Sequence, residues 1–396
     1  MDSEIRVENP QGGKKKGSSK KEGNELMEFT IAKRDFVRGL ARTQSIAERK
    51  SSMPILSNVL VVAEGASTIR LSATDLAVGV SGAYTADVKS SGSIALGART
   101  LFDIVRALPE EPIHLAVSST LSAELRCGRS RFRMVGMPGV DFPSLPDAGK
   151  VEFTTVPSAL VLELVQKTSA AMSQDETRPH LAGALFEGDG KILRMVTTDG
   201  HRLTKAERKI DGSGMLHFSM LVPLKGVSEL KRLAEDAEGA IGIGTDGSHA
   251  FFRREGAEVT LMSVKLVEAA FPPYEQVIPR GHDRVVIAPR PELMEALRRV
   301  SLVSQERSLG VKLALDAGKL VVSTENPEIG DASEELDVDY AGTPVTLGFN
   351  AKYLIDALSA VDDAEVRMEL SKELDPGVLR NVSGDALLAV VMPMRI

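Results

Sequence analysis

Asp199-Gly200-His201 sets a carboxylate two residues from an imidazole, the raw material of an acid–base pair, and Cys127 is the single thiol that could act as a nucleophile. Ser228-Glu229-Leu230-Lys231 has the spacing of a serine–lysine pair. None of these is completed by its surroundings. The Ser-Lys spacing lacks its partner motifs. Asp199 follows a strand-like run, where an Asp that caps a turn is the simpler reading than an acid. Cys127 lies in an alternating strand and reads as inert. The six histidines, His114, His180, His201, His217, His249 and His282, show no metal-ligand spacing with one another or with Cys127. No phosphate loop of the GxxxxGK[ST] form is present, and no GxGxxG follows a strand. Neither metal nor cofactor is expected. An enzyme built on Asp199, His201 and Cys127 or a Ser stands as the rival hypothesis.

A different chemistry is offered by the last eight residues, Ala389-Val390-Val391-Met392-Pro393-Met394-Arg395-Ile396, almost wholly apolar where chain ends are usually polar. They read as a strand pinned into a sheet, and Met392-Pro393-Met394 as a soft surface offered to a partner.

The elements that position these residues are written three times. Met27-Glu28-Phe29-Thr30, Val151-Glu152-Phe153-Thr154 and Val285-Val286-Ile287 each open a strand and lead into a helical apolar pattern. Ala73-Thr74-Asp75, Thr197-Thr198-Asp199 and Ser323-Thr324-Glu325 each end an alternating strand, and a second helix opens near Leu101, Val227 and Leu354. The copies lie roughly 125–130 residues apart, the length of one domain. The expected fold is α+β: three tandem domains, each of two helices and about eight strands. The predicted domains are 27–149, 150–279 and 280–396. Residues 1–26, with Lys14-Lys15-Lys16 and Lys20-Lys21, are too poor in apolar residues to fold and read as a disordered basic tail or an expression remnant.

The net charge of −7 and 43% hydrophobic content describe a soluble globular chain, and no run reaches the ~18 apolar residues of a membrane span. No signal peptide is read at the front, and one cysteine fits a reducing cytosol. Within an acidic protein, Lys and Arg collect on the predicted helices: Lys33, Arg34, Arg38 and Arg42 on the first, Lys225, Lys231 and Arg232 on the fourth, Arg290, Arg298 and Arg299 on the fifth. Trp is absent and Tyr number four, so base stacking is not expected. What remains is sequence-blind attraction to phosphates. Two further segments are oppositely charged. Arg129, Arg131 and Arg133 share a strand face, and Glu328, Asp331, Glu334 and Glu335 crowd another strand. They read either as complementary edges that join copies head to tail, or as two unrelated edges charged against aggregation.

With the triplicate unit in hand, the chain resembles the bacterial sliding clamp family, the β subunit of DNA polymerase III, over about Met27 to Ile396. The resemblance rests on Thr198-Asp199-Gly200-His201-Arg202-Leu203, Val391-Met392-Pro393-Met394-Arg395, Met53-Pro54-Ile55-Leu56-Ser57-Asn58, Gly128-Arg129-Ser130-Arg131-Phe132, Asp141-Phe142-Pro143 and Phe271-Pro272-Pro273-Tyr274. It implies a non-enzymatic processivity factor: two chains forming a six-domain ring, with twelve helices around sequence-independent duplex DNA. Twelve helices side by side would leave a bore on the order of 25–30 Å. Implied partners are the replicative polymerase, a clamp-loader ATPase and other replication and repair proteins with clamp-binding motifs, in a cytoplasmic, nucleoid-associated setting with no membrane. A specialised paralogue outside replication stays open. The implied partner cleft is Leu181, Thr198, Gly200, His201, Arg202, Leu203, Pro272, Val277, Asn350, Tyr353 and Val390, Val391, Met392, Pro393, Met394, Arg395 and Ile396. Implied DNA contacts are Arg49, Lys50, Arg178 and Lys225. The implied dimer interface is Arg129, Arg131 and Phe132 against Glu328, Asp331 and Glu334, with Leu302 and Val303. Gln276 and Ser308 depart from the family's pattern, which leaves peptide preference open.

Overall fold

The computed structural model describes residues 25–47, 52–175, 177–211, 215–235, 239–254, 256, 258–279, 281–305 and 309–395. Arg49, Lys50, Ile396, Ser308 and residues 1–24 lie outside the described residues. Residues 25 and 26, read from sequence as part of the tail, belong instead to the first strand, Glu25–Ile31. Backbone pairing to Ser118 carries that strand back beyond its apolar stretch.

Three α+β units follow one another, each opening on a strand that runs straight into a helix. The helices are α1 Lys33–Gln44, α2 Ala98–Ala107, α3 Ser158–Thr168, α4 Leu224–Glu235, α5 Arg290–Ser301 and α6 Ala351–Ala360. Ala32, Gly97, Pro157 and Pro289 precede their helices without a side-chain cap, whereas Asn350 caps α6, accepting from the Tyr353 amide at 3.2 Å. The helices of each unit pair with one another, α1 with α2, α3 with α4 and α5 with α6. Their apolar stripes are buried: Phe36 and Leu40 in α1, Val161, Leu164 and Val165 in α3, Leu293, Met294 and Leu297 in α5. At about 1.5–3 kcal/mol for each fully buried large side chain, these faces anchor the helices to the sheets. The second unit's opening strand is Thr154–Pro157, three residues later than Val151 suggested.

The sheets run across the units. A nine-stranded sheet joins the first two through the antiparallel pair Val78–Thr85 and Thr260–Lys265, with Val80 opposite Met262. An eight-stranded sheet joins the second and third through Arg202–Lys209 and the closing strand Leu387–Val391, with Thr204 opposite Ala389. The closing strand is buried along its whole length and pairs on both sides. Ser130–Val135 of the first unit and Gly330–Asp337 of the third are edge strands, each paired on one side and open on the other.

Following the ladders from unit to unit fixes which residues are equivalent. Gly79, Leu203 and Asp331 occupy one position, and Phe132, Met262 and Ala389 another. The third copy of the Thr-Asp turn therefore sits one residue beyond Ser323-Thr324-Glu325. Asn326, not Glu325, matches Asp75 and Asp199. Its Oδ1 accepts from the Glu328 amide at 3.0 Å, as Asp75 accepts from Ala77 and Asp199 from His201, both at 2.9 Å.

Candidate functional site

The turn Asp199–Leu203 connects two strands of the second unit and is held by its own side chains. Thr198 Oγ1 donates to the Arg202 carbonyl at 2.7 Å and accepts from the Gly200 amide at 3.1 Å. Asp199 Oδ1 accepts from the amides of His201 and Arg202 at 2.9 and 3.1 Å. Gly200 takes φ of 92°, a left-handed conformation that other residues adopt only under strain. Asp199 is thus a turn-former rather than an acid for His201. Cys127 lies buried in another unit, and burial pushes its thiol pKa up.

Arg202 ties this turn to the third unit. Its guanidinium donates to Asp356 at 2.5 Å and Asp199 at 3.1 Å, reaches the Ala170 carbonyl, and lies 4.4 Å from the Tyr353 ring centroid. The His201 ring stacks with Tyr353, centroids 6.5 Å apart at an interplanar angle of 17°. Burial raises the Tyr353 pKa. Beyond the closing strand the chain continues across the same joint. The Met392 amide donates to the His201 carbonyl at 2.9 Å, and the Met394 amide to the Gly348 carbonyl at 2.8 Å. Below them lies a small apolar floor of Leu203, Val390, Leu185, Val196, Tyr274, Val378 and Leu388, with Phe271 packed against it. Met392 is 41% exposed above this floor and Val277 51%.

The structure therefore gathers Thr198, Gly200, His201, Arg202, Leu203, Tyr353, Val390, Val391 and Met392 at one joint. Pro393 and Met394 are half-buried there and Arg395 is exposed. Leu181 is buried near Gly200, Asn350 serves as the α6 cap, and Pro272 and Val277 flank the short turn Tyr274–Gln276 in the linker.

The two DNA candidates within the described residues are both paired. Arg178 bonds Asp175 at 2.9 Å and the Asp199 carbonyl at 3.3 Å, beside the turn rather than on a helix. Lys225, at the start of α4, pairs with Asp75 of the first unit. More open helix cations are others: Arg34, Arg99, Arg106, Arg232 and Lys352 are 60–76% exposed.

At the edge strands, Arg131 and Phe132 lie on Ser130–Val135, with Arg129 in the turn before it, and Asp331 and Glu334 lie on Gly330–Asp337, with Glu328 just before it. Glu334 is bound by Arg299 of α5 at 2.6 and 3.0 Å, which lowers its pKa. Leu302 projects from the end of α5, 80% exposed, with Val303 half-buried beside it. Sequence reading missed two further apolar residues here, Val135 at 85% and Ile329 at 64% exposure. Their signal was an apolar side chain next to a charged edge. Among the described residues no cluster of His, Cys, Asp and Glu could hold a metal, and no helix is long and apolar enough to cross a membrane.

Family profiles for the N-terminal, central and C-terminal domains of the DNA polymerase III beta subunit match residues 27–146, 155–273 and 275–395. The beta sliding clamp of Pseudomonas aeruginosa is 36% identical over 372 residues, covering 93% of this chain and 100% of its own. That of Escherichia coli K12 is 33% identical over 376 residues, with the same coverage. Among solved structures, the P. aeruginosa DNA polymerase III subunit beta superposes with a TM-score of 0.88 at 35% identity, covering 93% of this chain and 100% of that one. The Bacillus subtilis DNA polymerase sliding clamp does so with 0.89 at 25% identity, covering 94% and 100%.

Proposed function

The chain belongs to the DNA polymerase III β subunit family and is a processivity sliding clamp rather than an enzyme; from that premise we propose that two copies close head to tail into a six-domain ring around duplex DNA. The observation that carries this is the unused third joint. Strands Val78–Thr85 and Arg202–Lys209 are already paired across units with Thr260–Lys265 and Leu387–Val391. Their equivalents, Gly330–Asp337 and Ser130–Val135, are edge strands that each leave one side open, one acidic and one basic.

The equivalences also set the register of closure. Phe132 would face Ala332 of the partner subunit, and Arg133 would face Asp331 of the partner subunit. Arg131 would lie between Asp331 of the partner subunit and Glu335 of the partner subunit. Just past the strand, the Lys265 amide donates to the Ala77 carbonyl at 2.7 Å and the Met392 amide to the His201 carbonyl at 2.9 Å. The third member of that series is Val135 with Ile329 of the partner subunit. Two exposed apolar residues would so be covered together.

Within the ring we take the domains as 27–149, 150–279 and 280–396, and the helices as the lining. Arg49, Lys50, Arg178 and Lys225, with the open helix cations, would neutralise phosphates without reading sequence. The joint between the second and third units is the cleft for partner peptides, which would lay apolar side chains on Leu203 and Val390 between Met392, Val277 and Pro272. The polymerase, a loader ATPase and other clamp-binding replication and repair proteins would share it. A cytoplasmic, nucleoid-associated location follows from that role.

The test is topological. Clamp loaded on circular DNA should be retained through gel filtration and lost when the circle is cut once. Equal retention on both forms would overturn the ring. Val135→Cys combined with Ile329→Cys should link two chains under oxidation, because facing strand residues lie within about 5.5 Å between Cα atoms.

A further inference from the structure

We propose that closure of this ring is held in check from within each chain, by Glu124 behind the basic edge and Lys319 behind the acidic one. The proposal rests on the ring reading above and concerns how strongly its contact holds.

Glu124 lies on the strand Ser122–Cys127, one strand in from the free edge and directly opposite Arg133. Its carboxylate accepts from Arg126, from Arg131 and, at 3.4 Å, from Arg133. The three guanidinium side chains are 57–66% exposed and the Glu124 side chain 16%. All three therefore lean inward over the sheet, away from the edge where a second chain would dock. The Arg131 hydrogen bond is the main reason the Glu124 pKa is held down to about 2, so the anion persists at any physiological pH. On the acidic side Lys319, one strand in from the other edge, bonds Glu335 at 2.5 Å. Among the described residues, Asp331 and Arg129 have no side-chain partner.

In the deduced register, Arg131 and Arg133 are the residues that would meet Asp331 and Glu335 of the partner subunit. In the free chain those arginines are satisfied by Glu124, and Glu335 by Lys319. Closure must divide each charge between an internal and an external partner. Glu124 and Lys319 also bring the wrong sign to the contact: an anion beside an acidic edge, a cation beside a basic one.

At the two joints inside the chain the contrast lies on the Glu124 side: Arg194, one strand in at the second joint, bonds Glu207, the counterpart of Glu335, at 2.8 Å, but no anion stands behind the strands equivalent to the basic edge. Ladder positions equivalent to Glu124 are Phe251 and Val378, and those equivalent to Lys319 are Thr68 and Ile192. Neutral residues thus fill these positions at the joints that stay shut. The anion behind the basic edge, Glu124, stands at the one joint that in this reading opens to admit DNA.

Glu124→Gln keeps the size of the side chain and one acceptor oxygen while removing the anion, and Lys319→Gln removes the cation while leaving a polar side chain. Each variant should tighten the dimer, measured by sedimentation at low salt. An exposed ion pair is worth a fewfold in an equilibrium constant and the ring has two contacts, so the expected gain is roughly 3- to 30-fold. The gain should vanish near 1 M salt, where the screening length falls to about 3 Å. Arg131→Gln, which removes a closing charge, should loosen the dimer instead. Weaker or unchanged dimers for both glutamine variants, beside a dimeric parent, would overturn the proposal and leave the ring standing. A monomeric parent over the whole concentration range would overturn the ring itself. Lys319→Gln alters only a side chain 54% exposed, so the test survives if Glu124→Gln folds poorly.

Discussion

Removal of Met392 to Ile396 separates the two roles of the chain's end. The strand Leu387–Val391 keeps both of its pairings in the truncated chain. Only two backbone bonds beyond it are lost among the described residues, Met392 to His201 and Met394 to Gly348. At about 1 ± 0.5 kcal/mol net for each bond, the fold loses roughly 2 kcal/mol and stays cooperative. The cleft loses more of its purpose. Covering the exposed 41% of Met392 is worth on the order of 1 kcal/mol at the usual value for a buried side chain. The half-buried Pro393 and Met394 bring a similar amount. A loss of about 2 kcal/mol weakens binding roughly thirtyfold. Fluorescence anisotropy with a labelled polymerase-derived peptide should show that loss, while sedimentation shows an unchanged dimer. Peptide binding within threefold of the intact chain would refute the assignment of the tail as a cleft wall. Loss of the dimer along with binding would show that the tail stabilises the fold generally.

Three other perturbations reach different parts of the molecule. Lys167 is buried, with its ammonium 2.8 Å from the Ala360 carbonyl and 2.5 Å from Asp362; Lys167→Ala should cost about 3 kcal/mol by leaving that carbonyl and part of the Asp362 charge unmatched, read as a lower urea midpoint. His282 is buried beside Glu369, and desolvation lowers its pKa below the ordinary 6.5. The group favours the neutral form in the fold, so its contribution is present above pH 6.5 and is lost as pH falls below it; the melting temperature should drop between pH 7 and 5, and less so in His282→Gln. Cys127 should resist a thiol reagent in the native protein and react only on unfolding, because its sulfur is buried against the Pro109 and Glu111 carbonyls at 3.7 Å.

The repeat was legible because each unit must bury the same stripes, so Phe36, Val161 and Leu293 recur where a helix meets a sheet. Register was less legible. Thr324 resembles Thr74 in type, yet Asn326 makes the turn bond, and a slip of one residue in a strand exchanges its faces. Equally invisible were the ion pairs that lock the joints. Arg42 meets Glu258 at 3.3 Å, and Arg202 meets Asp356, across separations of 216 and 154 residues. No local pattern points to such partners. Glu124 was within reach of sequence reasoning: a tight turn at Gly128-Arg129 puts it opposite Arg133, but the arginines drew attention and their counter-ion did not.

In the proposed ring one joint would be made three ways, and the differences fit three uses. At the first joint Leu145 of the linker presses on Gly79, where an added Cβ would come within 2.5 Å of its side chain. The counterparts of His201, Met392 and Tyr353 there are Ala77, Lys265 and Gly226, too small or too polar to wall an apolar groove. At the second joint Leu203 replaces Gly79, so the floor is raised and apolar, and Met392 with its three soft rotatable bonds can reshape over different side chains. Along the outer face of the third, the same ladder positions carry Arg131, Arg133, Asp331 and Glu335, exposed and open to screening by salt. By contrast, the charges that hold the first two joints are largely out of solvent: Arg42 is 9% and Arg202 10% exposed. In the proposed ring the strands would not distinguish a seal, a socket and a latch, since all three joints would use the same edges. The side chains do, because burial makes a charge pair insensitive to salt and exposure makes it exchangeable.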